Sequence, residues 1–150
     1  MADSVQQRMD QMVPALFELE ERGIFSSVEV KAIVDKRREF EYRLRRLVAR
    51  REDYIRYVDY EVKLEKLRKL RNKKAKAEGR LPPKKANHEY AGIKHVKSIF
   101  ERATRRFPAD DDLWTKVSRN QYALRRLTLW NLATKDSAKL ESLAQHLRWV

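Results

Sequence analysis

The chain has 150 residues, with 35 Lys and Arg against 22 Asp and Glu, a formal charge of +13 and no cysteine. That length suits one modest domain, and the missing thiols exclude a disulfide framework and thiolate metal sites. The cationic excess favours a polyanionic partner: RNA, DNA, an anionic membrane face or an acidic protein.

No uncharged apolar run nears the roughly 18 residues of a membrane span. The opening MADSVQQRMDQMV lacks the apolar block of a secretory signal. A soluble intracellular protein is the expectation. Gly23, Gly79 and Gly92 are the only glycines, and Pro14, Pro82, Pro83 and Pro108 the only prolines. Between them lie stretches of Arg, Lys, Glu, Leu and Ala, which favour helix.

A first helix is predicted from Asp3, with Gln6 completing a capping box. Val5, Met9, Met12, Val13, Leu16 and Leu19 form its apolar stripe, and Pro14 is expected to kink or restart it. Gly23 suits the position just past its end. Ser26 and Glu29 have capping-box spacing and open a second helix. Its predicted inner face is Val30, Ile33, Val34, Phe40, Leu44, Leu47 and Val48. Lys36, Arg38, Arg43, Arg45, Arg46 and Arg50 lie outside.

The third helix is predicted over 51–78, acidic at its start and basic at its end, as the helix dipole favours. GRLPPKKANHEY follows as a loop. A fourth helix begins near Ala91, with Ile93, Val96, Ile99, Phe100, Ala103 and Phe107 inward and Pro108 beyond its end. Asp110, Asp111 and Asp112 cap a fifth. Asp136 or Ser137 is predicted to cap a short last one. Paired helices with short turns describe a helical hairpin array or an irregular bundle.

DYIRYVDYE, residues 53–61, is unusual. Tyr54, Tyr57 and Glu61 lie within about 60° on a helix. Aromatics on one stripe are ordinary core. A carboxylate among them must find a cation or hydrogen-bond donors, because burial without one is expensive. Tyrosine hydroxyls and a neighbouring Arg are both candidates. Downstream, IFERATRRFPADDDLW places Ile99, Phe100 and the small Ala103 inward, then Pro108 and Trp114.

Aromatic-xx-aromatic-xxx-Glu followed by IFERA and a proline resembles the half-a-tetratricopeptide (HAT) repeat. That resemblance implies an all-α fold of antiparallel helix pairs, of HAT/TPR-like solenoid type with a helical N-terminal cap. The packing residues it implies are Tyr54, Tyr57, Glu61, Ile99, Phe100, Ala103, Pro108 and Trp114. Tyr54 and Trp114 are 60 positions apart, against roughly 34 in such repeats. A basic insertion over about 66–90 accounts for the excess. The expected division is a cap region over 1–50, a repeat over 51–116 and a helical tail over 117–150.

LEERGIF, IVDKRREFEYRLRR, DYIRYVDYE, LRKLRNK and YAGIKHVKSIFERATRRFPADDDLW together resemble the U3 small nucleolar RNA-associated protein 6 family over about residues 5–115. The resemblance implies a non-catalytic HAT-repeat subunit of the small-subunit processome, placed in the UtpB subcomplex beside WD-repeat propeller subunits. It also implies nucleolar processing of pre-18S rRNA, with U3 snoRNA and pre-rRNA close by. After Trp114 the pattern departs: Val117, Asn120 and Gln121 stand where an aromatic and an aromatic-Glu pair are expected. The tail from about Val117 is therefore expected to be non-family sequence, as a truncated product would carry. Leu124, Leu127, Leu129, Trp130 and Leu132 are its expected makeshift cap.

Catalytic constellations are not legible. His88, His95 and His146 are far apart without ligand spacing, and no Gly-rich phosphate loop exists. No enzyme, cofactor or metal is expected. Between Lys66 and Lys85 there are ten basic residues and one acid. Lys66, Arg68, Lys69, Arg71, Lys73, Lys74, Lys76, Arg80, Lys84 and Lys85 are thus candidate RNA contacts, directed at shape and backbone. The competing readings are a soluble basic linker and a stand-alone basic helical RNA- or DNA-binding protein.

Overall fold

A computed structural model describes residues 2–80 and 88–127. The described residues form α1 (Ala2–Glu21), α2 (Ser27–Leu44), α3 (Arg51–Ala77), α4 (His88–Arg106) and α5 (Asp111–Leu127), without a strand among them. They are all-α, as expected. The chain divides into two compact units, 1–92 and 93–150.

In the first unit α1 begins at Ala2 and runs through Pro14 without restarting. Pro14 is exposed, and so is Asp10, whose carbonyl loses its donor to the ring; solvent can serve it there. Asp3 lies inside the helix rather than at its cap position, and the Gln6 amide donates to Asp10 at 2.8 Å. Val5, Met9, Leu16 and Leu19 are buried, while Val13 lies at the stripe's edge, 37% exposed.

Gly23 ends the helix at φ 71°, a conformation most side chains avoid. Gly23 N–H reaches Glu20 O and Ile24 N–H reaches Leu19 O, both at 3.0 Å. That pair of bonds is a Schellman motif, and Ile24 and Leu19 supply its usual apolar contact. Both belong to the unit's core with Leu16, Phe25 and Ile33, against which Val30, Val34 and Leu64 pack.

The predicted capping box holds: Glu29 N–H donates to Ser26 Oγ at 3.2 Å, and Ser26 N–H to Glu29 Oε2 at 2.9 Å. α2 then stops sooner than its periodicity suggested. It ends at Leu44, and the six-residue connection turns Leu47 and Val48 outward, 97% and 80% exposed. Their expected place in the core is corrected accordingly. Arg50 N–H donates to Asp53 Oδ2 at 3.1 Å as α3 begins. A second Schellman motif ends α3, with Gly79 at φ 70° and bonds from Gly79 to Lys76 and Arg80 to Ala75.

In the second unit Ile93, Val96, Ile99, Phe100 and Ala103 are all buried, as their three- and four-residue spacing requires. Phe107 is half-buried. α4 ends before the exposed Pro108. Asp110 caps α5 by accepting from Leu113 N–H at 3.0 Å, and Asp111 and Asp112 occupy its first turn. The predicted last helix at Asp136 or Ser137 and the makeshift cap fall outside the described residues.

Candidate functional site

The site is built around α3, a helix with one sealed side and one wet side. Its sealed side carries Tyr54, Tyr57, Val58, Glu61, Val62, Glu65 and Arg68. Those positions recur at three and four residues, so they share a face.

Glu61 finds its cation in α2. Arg37 donates from Nε to Oε1 at 2.7 Å and from Nη2 to Oε2 at 2.9 Å. The pair is 8% and 1% exposed. Burial opposes the charge on Arg37, but the attraction and hydrogen bonds of Glu61 outweigh it and hold the guanidinium above its usual pKa. The tyrosine hydroxyl goes elsewhere: Tyr57 donates to Glu41 Oε1 at 3.0 Å. Burial, reinforced by the Glu41 and Glu61 carboxylates, pushes the Tyr57 hydroxyl well above the usual tyrosine range. Phe40 stacks on the Tyr57 ring at 4.9 Å and 9°, and meets Tyr60 at 5.5 Å, tilted. Of the candidate partners for Glu61, an arginine is thus seen bonded to it, Arg37.

Two further arginines of α3 are committed to the fold. Arg68 is buried and pairs with Glu65 at 3.0 and 2.5 Å. The Glu65 carboxylate abuts Gly92, where a Cβ would collide with it. Arg71 reaches back to the α1–α2 turn: it bonds both carboxylate oxygens of Glu29 at 2.7 and 2.9 Å and Ile24 O at 3.1 Å. Its guanidinium also lies 5.2 Å from the Phe25 ring centre. Arg71, helped by the Ser26 N–H, holds the Glu29 carboxyl down to about 2.

The candidate RNA contacts therefore separate. Arg68 is sealed in, Arg71 is half-buried on Glu29, and the Lys69 ammonium is shielded, its pKa lowered by burial. Lys66, Lys73, Lys74, Lys76 and Arg80 are exposed, with Arg80 beside Glu78 at 2.6 Å. Lys84 and Lys85 lie outside the described residues. Of the implied packing residues, Tyr54, Tyr57 and Glu61 are buried in the first unit, and Ile99, Phe100 and Ala103 in the second. Pro108 is exposed, and the half-buried Trp114 donates from Nε1 to Pro108 O at 3.3 Å.

Sequence reasoning missed Arg37 and Glu41. The signal for them is present: Ile33, Arg37, Phe40, Glu41 and Leu44 keep the inward spacing of α2. No group of three or more His, Cys, Asp or Glu placed to hold a metal occurs among the described residues.

The family model for U3 small nucleolar RNA-associated protein 6 matches residues 9–98. The chain belongs to that family. Relatives bearing that protein's name include one from Schizosaccharomyces pombe, 39% identical over 76% of this chain and 22% of its own length. The mouse homologue is 36% identical over 76% of this chain and 18% of its own. The human homologue is 34% identical over the same shares. The chain thus spans about a fifth of the length of these relatives. The match covers α2 and α3, including Arg37, Glu41, Tyr57 and Glu61.

Proposed function

We propose that the chain is a non-catalytic scaffold element of a pre-ribosomal ribonucleoprotein, the small-subunit processome. In this reading it acts in the nucleolus, in processing of pre-18S rRNA. The family supports the ribonucleoprotein setting, since its members are named for association with U3 small nucleolar RNA. The helices would form HAT-type pairs, with Tyr54, Tyr57 and Glu61 as packing residues in the first unit and Ile99, Phe100 and Ala103 as packing residues in the second. Pro108 closes that repeat and Trp114 opens the next. WD-repeat propeller subunits of the UtpB subcomplex are the protein partners in this reading, and U3 snoRNA or pre-rRNA lies along the basic insertion.

The observation that carries the reading is the two-sidedness of α3. Its inner side is fixed by buried pairs, so its outer side keeps Lys66, Lys73 and Lys74 in water at set positions. Those three span about 100° of the helix circumference. Lysines so arranged neutralise phosphates without reading bases.

The test is a pull-down of the tagged protein, washed with nuclease and then with high salt. Partner proteins that survive both washes support a scaffold. Elution of everything would return the chain to a stand-alone basic nucleic-acid binder.

A further inference from the structure

We propose that the connection between α2 and α3 is a docking tip for a protein partner whose contact segment is apolar at its centre and acidic at its rim. Leu47 and Val48 are the anchors.

The two aliphatics are presented by a connection fixed at both ends. Arg45 N–H bonds to Tyr42 O at 3.2 Å on one side. On the other, Ala49 is buried and Arg50 N–H bonds to Asp53. Between these points Leu47 is 97% and Val48 80% exposed. A single exposed aliphatic is ordinary on a protein surface. An adjacent pair, almost wholly in water on a six-residue turn, lies outside the buried core, which on either side of it takes in Leu44, Ala49 and Tyr54.

Charge decides what covers it. From Arg43 to Arg51 the sequence is RLRRLVARR, without an acid. Arg45, Arg46 and Arg50 are exposed around the two aliphatics. An apolar centre inside an arginine rim matches the anatomy of protein interfaces, where arginine is enriched and complementary rim charges select the partner. An RNA would engage the arginines but leave Leu47 and Val48 against charged backbone. Bases stack on aromatic rings, and this pair offers none. A carboxylate-rimmed apolar pocket satisfies both halves of the tip.

The test places a photo-reactive phenylalanine derivative at position 47 of the full chain, and in a control at the exposed Lys31. Cells are irradiated and adducts sequenced by mass spectrometry. The expected result is adducts from position 47 on another protein, in a segment with aliphatic residues flanked by Asp or Glu. Their yield should fall by about tenfold when Arg45→Glu and Arg46→Glu are added, with the melting curve unchanged. Four results overturn the proposal: adducts on RNA, on a basic segment, or on this chain or a second copy of it; yield no higher than from position 31; yield unmoved by the arginine reversals; or an altered melting curve, which would give the arginines a folding role.

Discussion

Arg37 and Glu61 meet through two parallel hydrogen bonds across 24 positions of sequence, joining α2 to α3 out of water. Such a pair adds little net stability over an apolar pair of the same size, but breaking it strands a buried charge. Glu61→Ala should therefore destabilise the first unit by about 3–5 kcal/mol. The double variant Arg37→Met, Glu61→Leu should lose much less. Urea unfolding of the parent, Arg37→Met, Glu61→Leu and the double variant measures the cycle. Two single losses that simply add would show that the pair does not act as a unit.

Arg71 and Glu29 make a second, wetter link, their side chains 36% and 40% exposed. Glu29 titrates near 2 in the folded chain against an ordinary 4.5. A carboxylate with a depressed folded pKa adds stability that is complete above its unfolded pKa. That contribution is lost as pH falls from about 4.5 toward 2. Solvent screening limits it to about 0.5–1 kcal/mol. Comparing the protein with Glu29→Gln across that range should show the two stability curves converging at acid pH. Parallel curves would contradict the linkage.

How far the sequence speaks depends on the residue. Ser26 and Glu29 spell their capping box outright, and Gly23 marks the end of α1 because its φ excludes most other side chains. The inward face of α4 follows from spacing alone. Arg37 and Glu41 share that legibility in their spacing, but their charge assigns them to the surface unless spacing is given priority. Leu47 and Val48 continue an apolar rhythm past the end of α2, where neither glycine nor proline marks the stop at Leu44. Arg68 and Lys69 look like their exposed neighbours in composition; only the three-dimensional arrangement separates a cation held by Glu65 from one left in water.

Gly92 faces the carboxylate of Glu65, which Arg68 holds in place. Gly92→Ala gains helix propensity worth roughly 1 kcal/mol. The added methyl must displace Glu65 from Arg68, however, and overpacking of that kind costs about 1–3 kcal/mol. Net destabilisation, or at best no gain, is expected in thermal melts. A clear rise in melting temperature would show that Glu65 moves aside freely.

Salt should report on the outer side of α3. Lys73→Ala with Lys74→Ala should lower the slope of log affinity against log salt by roughly 1.4 for a single-stranded RNA, about 0.7 for each phosphate that is no longer neutralised. The folding midpoint should not move, since both residues are exposed. An unchanged slope would remove these lysines from the interface.

The most direct measurement is RNA crosslinking of the protein within its native particle, with adducts mapped along α3. The account predicts nucleotides on Lys73 and Lys74, with Lys66 and Lys76 as further sites, and none on the buried Arg68. Adducts on Arg68, or crosslinks from those lysines to protein alone, would contradict a helix with one face locked and the other open to RNA.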